Sequence, residues 1–367
     1  MVEYSWAGGD NMEKDIDFYY YDVDMGAYDE YNPRYVFCND IYRKAIFDIV
    51  DGKKANEECL LKLIGIDAIQ IKEEAPTINF PLFIKEDLPF INKATKDNAR
   101  KVVDRIKIIY DELCNILVKL DNGFSNKINM YHIICGNYFD GEFFSYLEER
   151  GIVATSMLHP SNRDYIIIGY EKDEKLQEWN DSLICSYNNF RTNNYRFCSF
   201  GNALGDRYDL YRYIRVREGG NILPMFGDIH SVLKRYEEDE IKILLDDVMN
   251  GVVNDDMRNI LNLFGYFKNN ESIVPIYTKQ HYHVINELYE LLNKMLGEYI
   301  VEVLNEMYDE LADIYIMKLK LNKQIIMNEL WHMLFGSVNE ILIQDGLVAT
   351  PYTSKDEGCY LKCIWEI

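Results

Sequence analysis

The sequence predicts a mainly α protein with small β-hairpins, an α+β arrangement built as two consecutive copies of one unit. Two observations carry this reading. Apolar residues keep helical spacing through most of both halves. Four landmarks also recur in the same order, between 195 and 199 positions apart. Ile46-Phe47-Asp48-Ile49-Val50-Asp51-Gly52 answers Leu245-Asp246-Asp247-Val248-Met249-Asn250-Gly251, and Tyr110-Asp111-Glu112-Leu113 returns unchanged as Tyr308-Asp309-Glu310-Leu311. Gly151-Ile152-Val153-Ala154-Thr155 returns as Gly346-Leu347-Val348-Ala349-Thr350, and Tyr165–Glu171 as Tyr360–Glu366.

Each copy begins with an amphipathic helix ended by glycine, Gly52 in the first and Gly251 in the second, where a left-handed C-cap is expected. A second short helix follows, then an extended segment around Pro81 or Pro275. A long helix comes next. Val102, Ile106, Ile109, Leu113, Ile116 and Leu120 mark its apolar face in copy one, and Leu288, Leu292, Met295, Tyr299, Val303 and Met307 in copy two. Helices of that length need a partner along their side, and the simplest partner for each is the other. Two shorter helices are expected after each: Ile128–Cys135 and Gly141–Arg150, then Ile325–Phe335 and Ser337–Asp345. A strand, a polar turn and a return strand close each copy.

The expected organisation is an acidic, Tyr-rich arm over 1–34, a first repeat over 35–180, an Arg/Tyr-rich connecting segment over 181–224 and a second repeat over 225–367. The arm carries nine acids against Lys14 and Arg34. The chain of 367 residues has 61 Asp and Glu against 39 Lys and Arg, a formal net charge of −22, so it repels polyanions at long range. No run of apolar residues is long enough for a membrane span, and the first residues lack the basic and apolar regions of a signal peptide. With eight cysteines scattered through apolar contexts, the expected compartment is the cytoplasm.

The order helix, helix, Gly-[Ile/Leu]-Val, strand, polar tip, strand at the end of each copy resembles the winged-helix domain of ArsR- and MarR-type regulators. The resemblance implies tandem winged-helix repeats whose long helices pair as an intrachain pseudo-dimer. It also implies wing tips at His159 and Arg163 in one copy and Lys355 in the other, and reading helices at Gly141–Arg150 and Ser337–Asp345. Those helices carry Glu142, Glu148, Glu149, Glu340 and Asp345 against a single Arg150, which departs from the family's basic DNA-reading surface.

One stretch runs against the acidity. Arg191, Arg196, Arg207, Arg212, Arg215 and Arg217 face only Asp206 and Asp209, leaving a local charge of +4 among Tyr195, Tyr208, Tyr211 and Tyr213. Arg196, Arg207, Tyr208, Tyr211, Arg212, Arg215 and Arg217 are therefore the candidate partner- or anion-binding residues, because guanidinium forks bind oxyanions and aromatic rings stack on them. The competing reading is a structural strap. His281 and His283 share a face only on a strand and diverge on a helix. No nucleophile–base pair, metal-ligand cluster or phosphate loop is legible, so neither an enzyme nor a cofactor is expected.

The expected function is a non-enzymatic regulatory or scaffold protein that uses its modules mainly for protein interaction. In plan and charge it resembles the acidic tandem winged-helix subunits of SMC-type chromosome complexes. Two alternatives stand beside it: an ArsR-like DNA-binding transcriptional regulator formed as a fused pseudo-dimer, and an acidic DNA mimic. A protein partner and further homodimerisation are expected, with DNA disfavoured by charge.

Overall fold

A computed structural model describes residues 15–22, 30–154, 165–205, 207–219, 235–269, 271–354 and 358–367. It is mixed α and β: helices dominate and the sheets are small. The chain divides into two compact units, Met1–Asn92 with Gly151–Glu178 and Glu310–Glu329, and Lys93–Arg150 with Trp179–Asp309 and Leu330–Ile367.

The first unit opens on strand β1 (Ile16–Asp22) and a single turn, α1 (Pro33–Val36). Helix α2 (Asp40–Val50) is capped by the Asn39 carboxamide, which accepts from the Ile41 N–H, and it stops at Gly52, whose φ is +68°. Asn56 caps α3 (Glu57–Gly65) in the same way. The hairpin β2 (Ile69–Lys72) and β3 (Ala75–Ile78) follows, turning through Glu73 and Glu74, both with positive φ. Strand β4 (Leu82–Phe83) then lies parallel to β5 (Tyr165–Glu171), and β1 lies antiparallel on the other side of β5. Ile46, Leu63, Ile69, Ile78, Leu82 and Ile167 form the core between this sheet and the helices.

Part of the later sequence completes this unit. Tyr315 donates its N–H to Asp87 Oδ2 (2.7 Å), Ala154 donates to the Gln324 carbonyl (3.1 Å), and Asn328 Nδ2 donates back to the Ala154 carbonyl (2.7 Å). The Tyr170 hydroxyl bonds the carboxylate of Glu329.

In the second unit the long helices run antiparallel. Helix α4 (Leu88–Ile108) breaks at Ile109 into α5 (Tyr110–Leu117), while α12 (Tyr282–Glu310) is uninterrupted. Lys101 pairs with Glu306 at 2.8 Å and Lys119 with Glu287 at 2.6 Å, contacts that advance on one helix as they retreat on the other. Between these helices in the chain lie α6 (Asn126–Met130), a π-helical run (Tyr131–Glu142), α7 (Phe143–Glu149), α8 (Glu174–Ser182), β6 (Ser186–Arg191), β7 (Tyr195–Gly201) and α9 (Leu210–Gly219). Then come α10 (Glu238–Met249), α11 (Asp255–Leu263), the short hairpin β8 (Phe267–Lys268) and β9 (Glu271–Ser272), and β10 (Ile276–Tyr277). Beyond α12 the chain continues through α13 (Tyr315–Lys318), α14 (Lys323–Gln344), β11 (Tyr352–Ser354) and β12 (Gly358–Glu366). The sheet has the order β10-β12-β7-β6, with β11 also on β12.

The order helix, Gly with positive φ, Asn-capped helix, hairpin, short strand, long helix thus occurs twice. Strand pairing follows the same register. Phe83 opposes Tyr170 as Tyr277 opposes Trp365, and Asp17 opposes Tyr170 as Arg196 opposes Trp365. Even single hydrogen bonds repeat: Gly169 N–H to the Pro81 carbonyl and Ile364 N–H to Pro275, Lys85 N–H to Glu171 and Lys279 N–H to Glu366. In the second unit Ala349 donates to the Lys127 carbonyl (3.0 Å), the counterpart of Ala154 to Gln324 in the first.

The separate helices expected after each long helix are not separate. Ile325–Phe335 and Ser337–Asp345 are one continuous helix, α14, and 126–149 is helical throughout. Gly336 and Gly136 lie inside these helices and serve close packing, which the lack of a side chain permits. A Cβ at Gly336 would stand 3.0 Å from Leu183, and one at Gly136 would stand 3.2 Å from the Tyr187 ring. Lys127 and Gln324 are 197 positions apart, but Gly151 and Gly346 only 195, so the first run holds two extra residues between these points. The wider turns of the π-helical stretch hold them.

Candidate functional site

Because side chains alternate along a strand, one face of the second unit's sheet carries Phe190, Phe197, Ile276 and Ile364 into an apolar core with Leu245, Ile260 and Phe264. The other face carries Tyr187, Arg196, Cys198, Phe200, Cys363, Trp365 and Tyr277 against the π-helical run. Tyr131 donates its hydroxyl to the Phe200 carbonyl at 2.9 Å and packs its ring against Phe200, while His132 stands edge-on to Tyr277. This second layer is polar and closely filled.

Several of its polar atoms have no nitrogen or oxygen partner: Tyr187 Oη, Arg196 Nε, Trp365 Nε1 and His132 Nδ1. Arg196 forms no ion pair among the described residues. Its guanidinium lies over the Trp365 ring, 5.6 Å from the centroid, close enough for the ring face to attract the cation. Burial works against its charge, but Tyr187, Cys198, Cys363 and Tyr282 around it raise its pKa overall. Cys198 sits directly opposite Cys363. Burial pushes the Cys198 thiol up, yet hydrogen bonding from Cys363 and Tyr187 together with the Arg196 charge brings it below the ordinary thiol value. Cys363 moves the opposite way, raised by burial and by Cys198. His132 is wholly buried and pushed down to about 3, so its imidazole is neutral. At the end of the π-helical run Asp140 stands 3.9 Å from His332 Nε2, and burial pushes its carboxyl up to about 8.

The residues singled out by charge have different fates. Arg207 is completely buried and its guanidinium is spent on backbone carbonyls: Nε to Asn202 (2.8 Å), Nη1 to Ser199 (3.3 Å) and Nη2 to Ser186 (2.9 Å). Desolvation pushes it down to about 10. Tyr208 and Tyr211 pack against the core that contains Phe264, and Arg212 Nη1 donates to the Gly205 carbonyl. Arg215 and Arg217 lie on α9; their side chains fall outside what the structure describes. His159, Arg163 and Lys355 also lie outside the described residues. Arg207, Tyr208, Tyr211 and Arg212 are thus held within their own unit, and Arg196 lies in the polar layer. The adjoining Thr192–Asn194 turn is held by Asp246, whose carboxylate accepts from the Thr192 hydroxyl, the Asn193 and Asn194 N–H groups and Asn194 Nδ2.

Of the two helices expected to read DNA, Ser337–Asp345 is turned inward, whereas Gly141–Arg150 leaves Glu142, Ser145, Glu149 and Arg150 exposed. Ser337, Val338, Asn339, Ile341 and Leu342 are buried, and Asn339 Nδ2 donates to the Ile184 and Cys135 carbonyls. Asp345 pairs with Arg100 (2.6 Å) and Lys107 (2.9 Å). His281 and His283 are used locally. The His281 Nδ1 accepts the Thr278 N–H, and His283 Nδ1 lies 2.7 Å from the Gln280 carbonyl. Among the described residues no group of three or more His, Cys, Asp or Glu has a metal-binding arrangement, and no described helix is long and apolar enough to cross a membrane.

Among the described residues each unit has an open cavity. That of the first, about 420 Å³, is lined by Asp15, Asp40, Arg43, Asp48, Asp51 and Lys53; that of the second, about 520 Å³, by Arg191, Asn193, Tyr211, Glu238, Asp239 and Lys242. In both, acids and bases neutralise one another: Arg43 with Asp15 and Asp40, Lys53 with Asp51, Lys242 with Glu238 and Asp239. Sequence reasoning missed the Cys198–Cys363 pairing, Asp140 and His132, since no local motif connects residues so far apart in the chain. The outward surface of α3 is different again: Leu61 is 73% exposed and Ile64 39%, beside exposed Glu57 and Glu58. Comparison with protein-family models, with curated proteins and with solved structures finds no match to this chain.

Proposed function

We propose that this protein is a non-enzymatic regulatory or scaffold protein, a duplicated pair of winged-helix-like modules that bind other proteins. The sequence pattern puts these modules at 128–170 and 325–365, where 126–149 and 323–344 are continuous helices. We move them to α2, α3 and the β2–β3 hairpin in the first copy, and to α10, α11 and the β8–β9 hairpin in the second. Each is a helix–turn–helix followed by a two-stranded wing. The antiparallel α4 and α12 and the matching Ala154 and Ala349 bonds support reading the chain as an intrachain pseudo-dimer.

The observation that carries the protein-binding reading is the outer face of α3, the helix that would enter the major groove in a DNA reader. It presents Leu61, Ile64, Glu57 and Glu58, and its one cation, Lys62, lies over the Tyr31 ring and pairs with Glu30. In α11 the exposed positions are Asp255, Asn259 and Leu263. The half-exposed Lys62 and Arg258 are the only cations of these two helices, fewer than the arginines and lysines that phosphate contacts need. A mobility-shift titration with random-sequence duplex tests this. Retarded DNA at low salt, fading steeply as salt rises, overturns the reading, since that slope reports phosphate contacts; no shift at low salt supports it.

A further inference from the structure

We propose that Cys198 and Cys363 form a peroxide-sensitive dithiol that closes to a cross-strand disulfide, with Arg196 and Tyr187 positioning Cys198 as the reacting thiolate. The geometry comes first. The ladder between β7 and β12 is bounded by hydrogen bonds from Asn202 N–H to the Cys359 carbonyl (3.0 Å) and from Ile367 N–H to the Asn194 carbonyl (2.8 Å). Hydrogen-bonded pairs alternate along an antiparallel ladder, so counting inward from either end places Cys198 and Cys363 at such a pair. The Cα separation of that pair type, about 5.5 Å, falls within the roughly 4.4–6.8 Å that disulfides span. Of the eight free cysteines only these two occupy directly opposed strand positions, and the Cys198 thiol donates to the Arg196 carbonyl at 3.6 Å.

The surroundings differentiate the two sulfurs. Arg196 is on the same face of β7 as Cys198, two residues away, and has no carboxylate partner among the described residues, so its charge is available to a thiolate. The Tyr187 hydroxyl has no hydrogen-bond partner among the described residues and lies on the same face of the sheet as Cys198. Buried Cys59 and Cys135 are pushed up by burial, with no cation among the described groups acting on them. Arg196 is itself only partly buried, while Cys198 and Cys363 beside it are fully buried.

With hydrogen peroxide as oxidant, the Cys198 thiolate attacks one peroxide oxygen and the O–O bond breaks. The departing hydroxide takes up the proton that Cys198 had lost, giving water and a sulfenic acid on Cys198. The Cys363 sulfur then attacks that sulfur, the S–O bond breaks, and the leaving hydroxyl departs as water with the Cys363 proton. In sum two thiols lose two electrons and one peroxide becomes two waters.

The test is peptide mapping without reductant on the full-length protein after mild peroxide treatment. The expected product is a linked Cys198–Cys363 peptide that dithiothreitol releases. Cys363→Ser is expected to stop the reaction at the sulfenic acid, captured on Cys198 by dimedone, and Arg196→Met to slow Cys198 oxidation at least several-fold at neutral pH. Peroxide that modifies exposed Cys38 while Cys198 and Cys363 remain reduced overturns the proposal, and this wild-type result stands even if either variant fails to fold. An Arg196→Met protein that folds and oxidises at the wild-type rate overturns the role given to Arg196.

Discussion

The sheets of the two units share a register and differ in chemistry. In both, a central strand has a parallel two-residue partner on one side and an antiparallel strand on the other: β4-β5-β1 and β10-β12-β7. At matching positions Asp17 stands where Arg196 does, Tyr19 where Cys198 does, and Ile168 where Cys363 does. Each sheet thus holds a partly buried charge with an unpartnered atom, Asp17 Oδ2 in one and Arg196 Nε in the other, of opposite sign. Backbone hydrogen bonds set the register and are indifferent to side chains, so the register survives while the helix-covered face diverges. The thiol chemistry belongs to the second unit alone.

Arg207 offers the largest break in the comparison, because the first unit has no buried guanidinium of this kind among its described residues. Arg207→Met leaves three backbone carbonyls without their donors and is expected to cost at least about 3 kcal/mol. Hydrogen exchange should show lost protection in β6 and β7 and retained protection in β5. Uniform loss across both sheets would show that they unfold as one.

Next come the residues that pair with the short parallel strands, Gly169 in one sheet and Ile364 in the other. The Ile364 side chain is wholly buried. Ile364→Ala opens a cavity there, at a cost of about 2–5 kcal/mol. Gly169→Ala is expected to cost less, about 1–3 kcal/mol for overpacking. Its Cβ would meet the Phe80 ring at 2.8 Å and Leu82 at 3.1 Å. Urea unfolding of both variants checks the order.

A pH titration of stability separates the units further. Asp17 and Asp140 both hold their protons more tightly in the folded than in the unfolded chain, because burial raises both. For such a group stability falls as pH rises from the unfolded carboxylate value through the folded one, then levels. The decline from Asp140 extends to about pH 8, and Asp140→Asn should remove that part of it, measured by urea unfolding across the range. Asp17→Asn is expected to matter less, since its carboxylate is only partly buried and is opposed by Lys172 and Arg43.

Smallest of all is Leu61→Ser, on the exposed face of α3. Stability should change by no more than about 0.5 kcal/mol in thermal unfolding, as for other surface substitutions. A larger loss would mean that this face is covered rather than presented.

Much of the fold was legible in the chain. Gly52 and Gly251 and the apolar spacing of α12 are local signals that produced the element expected, whereas the long helix expected through Leu120 in copy one breaks at Ile109. The break expected between Phe335 and Ser337 did not form, and the glycine at 336 instead packs closely against Leu183 and Cys185. The arginine stretch was legible as charge but not as fate: nothing in the order of residues separates Arg207, enclosed by carbonyls, from Arg196, set against a thiol.

By itself the sequence determined the repeated order of elements, since caps, periodicity and turn residues act within a few positions of one another. The tertiary structure alone decided which strand meets which. It brought Cys198 against Cys363 and Asp246 against the Thr192–Asn194 turn, and it turned the face of α14 inward. Such contacts join residues tens to hundreds of positions apart, and what stabilises them is the burial and hydrogen bonding of the assembled layers, which no local stretch of chain encodes.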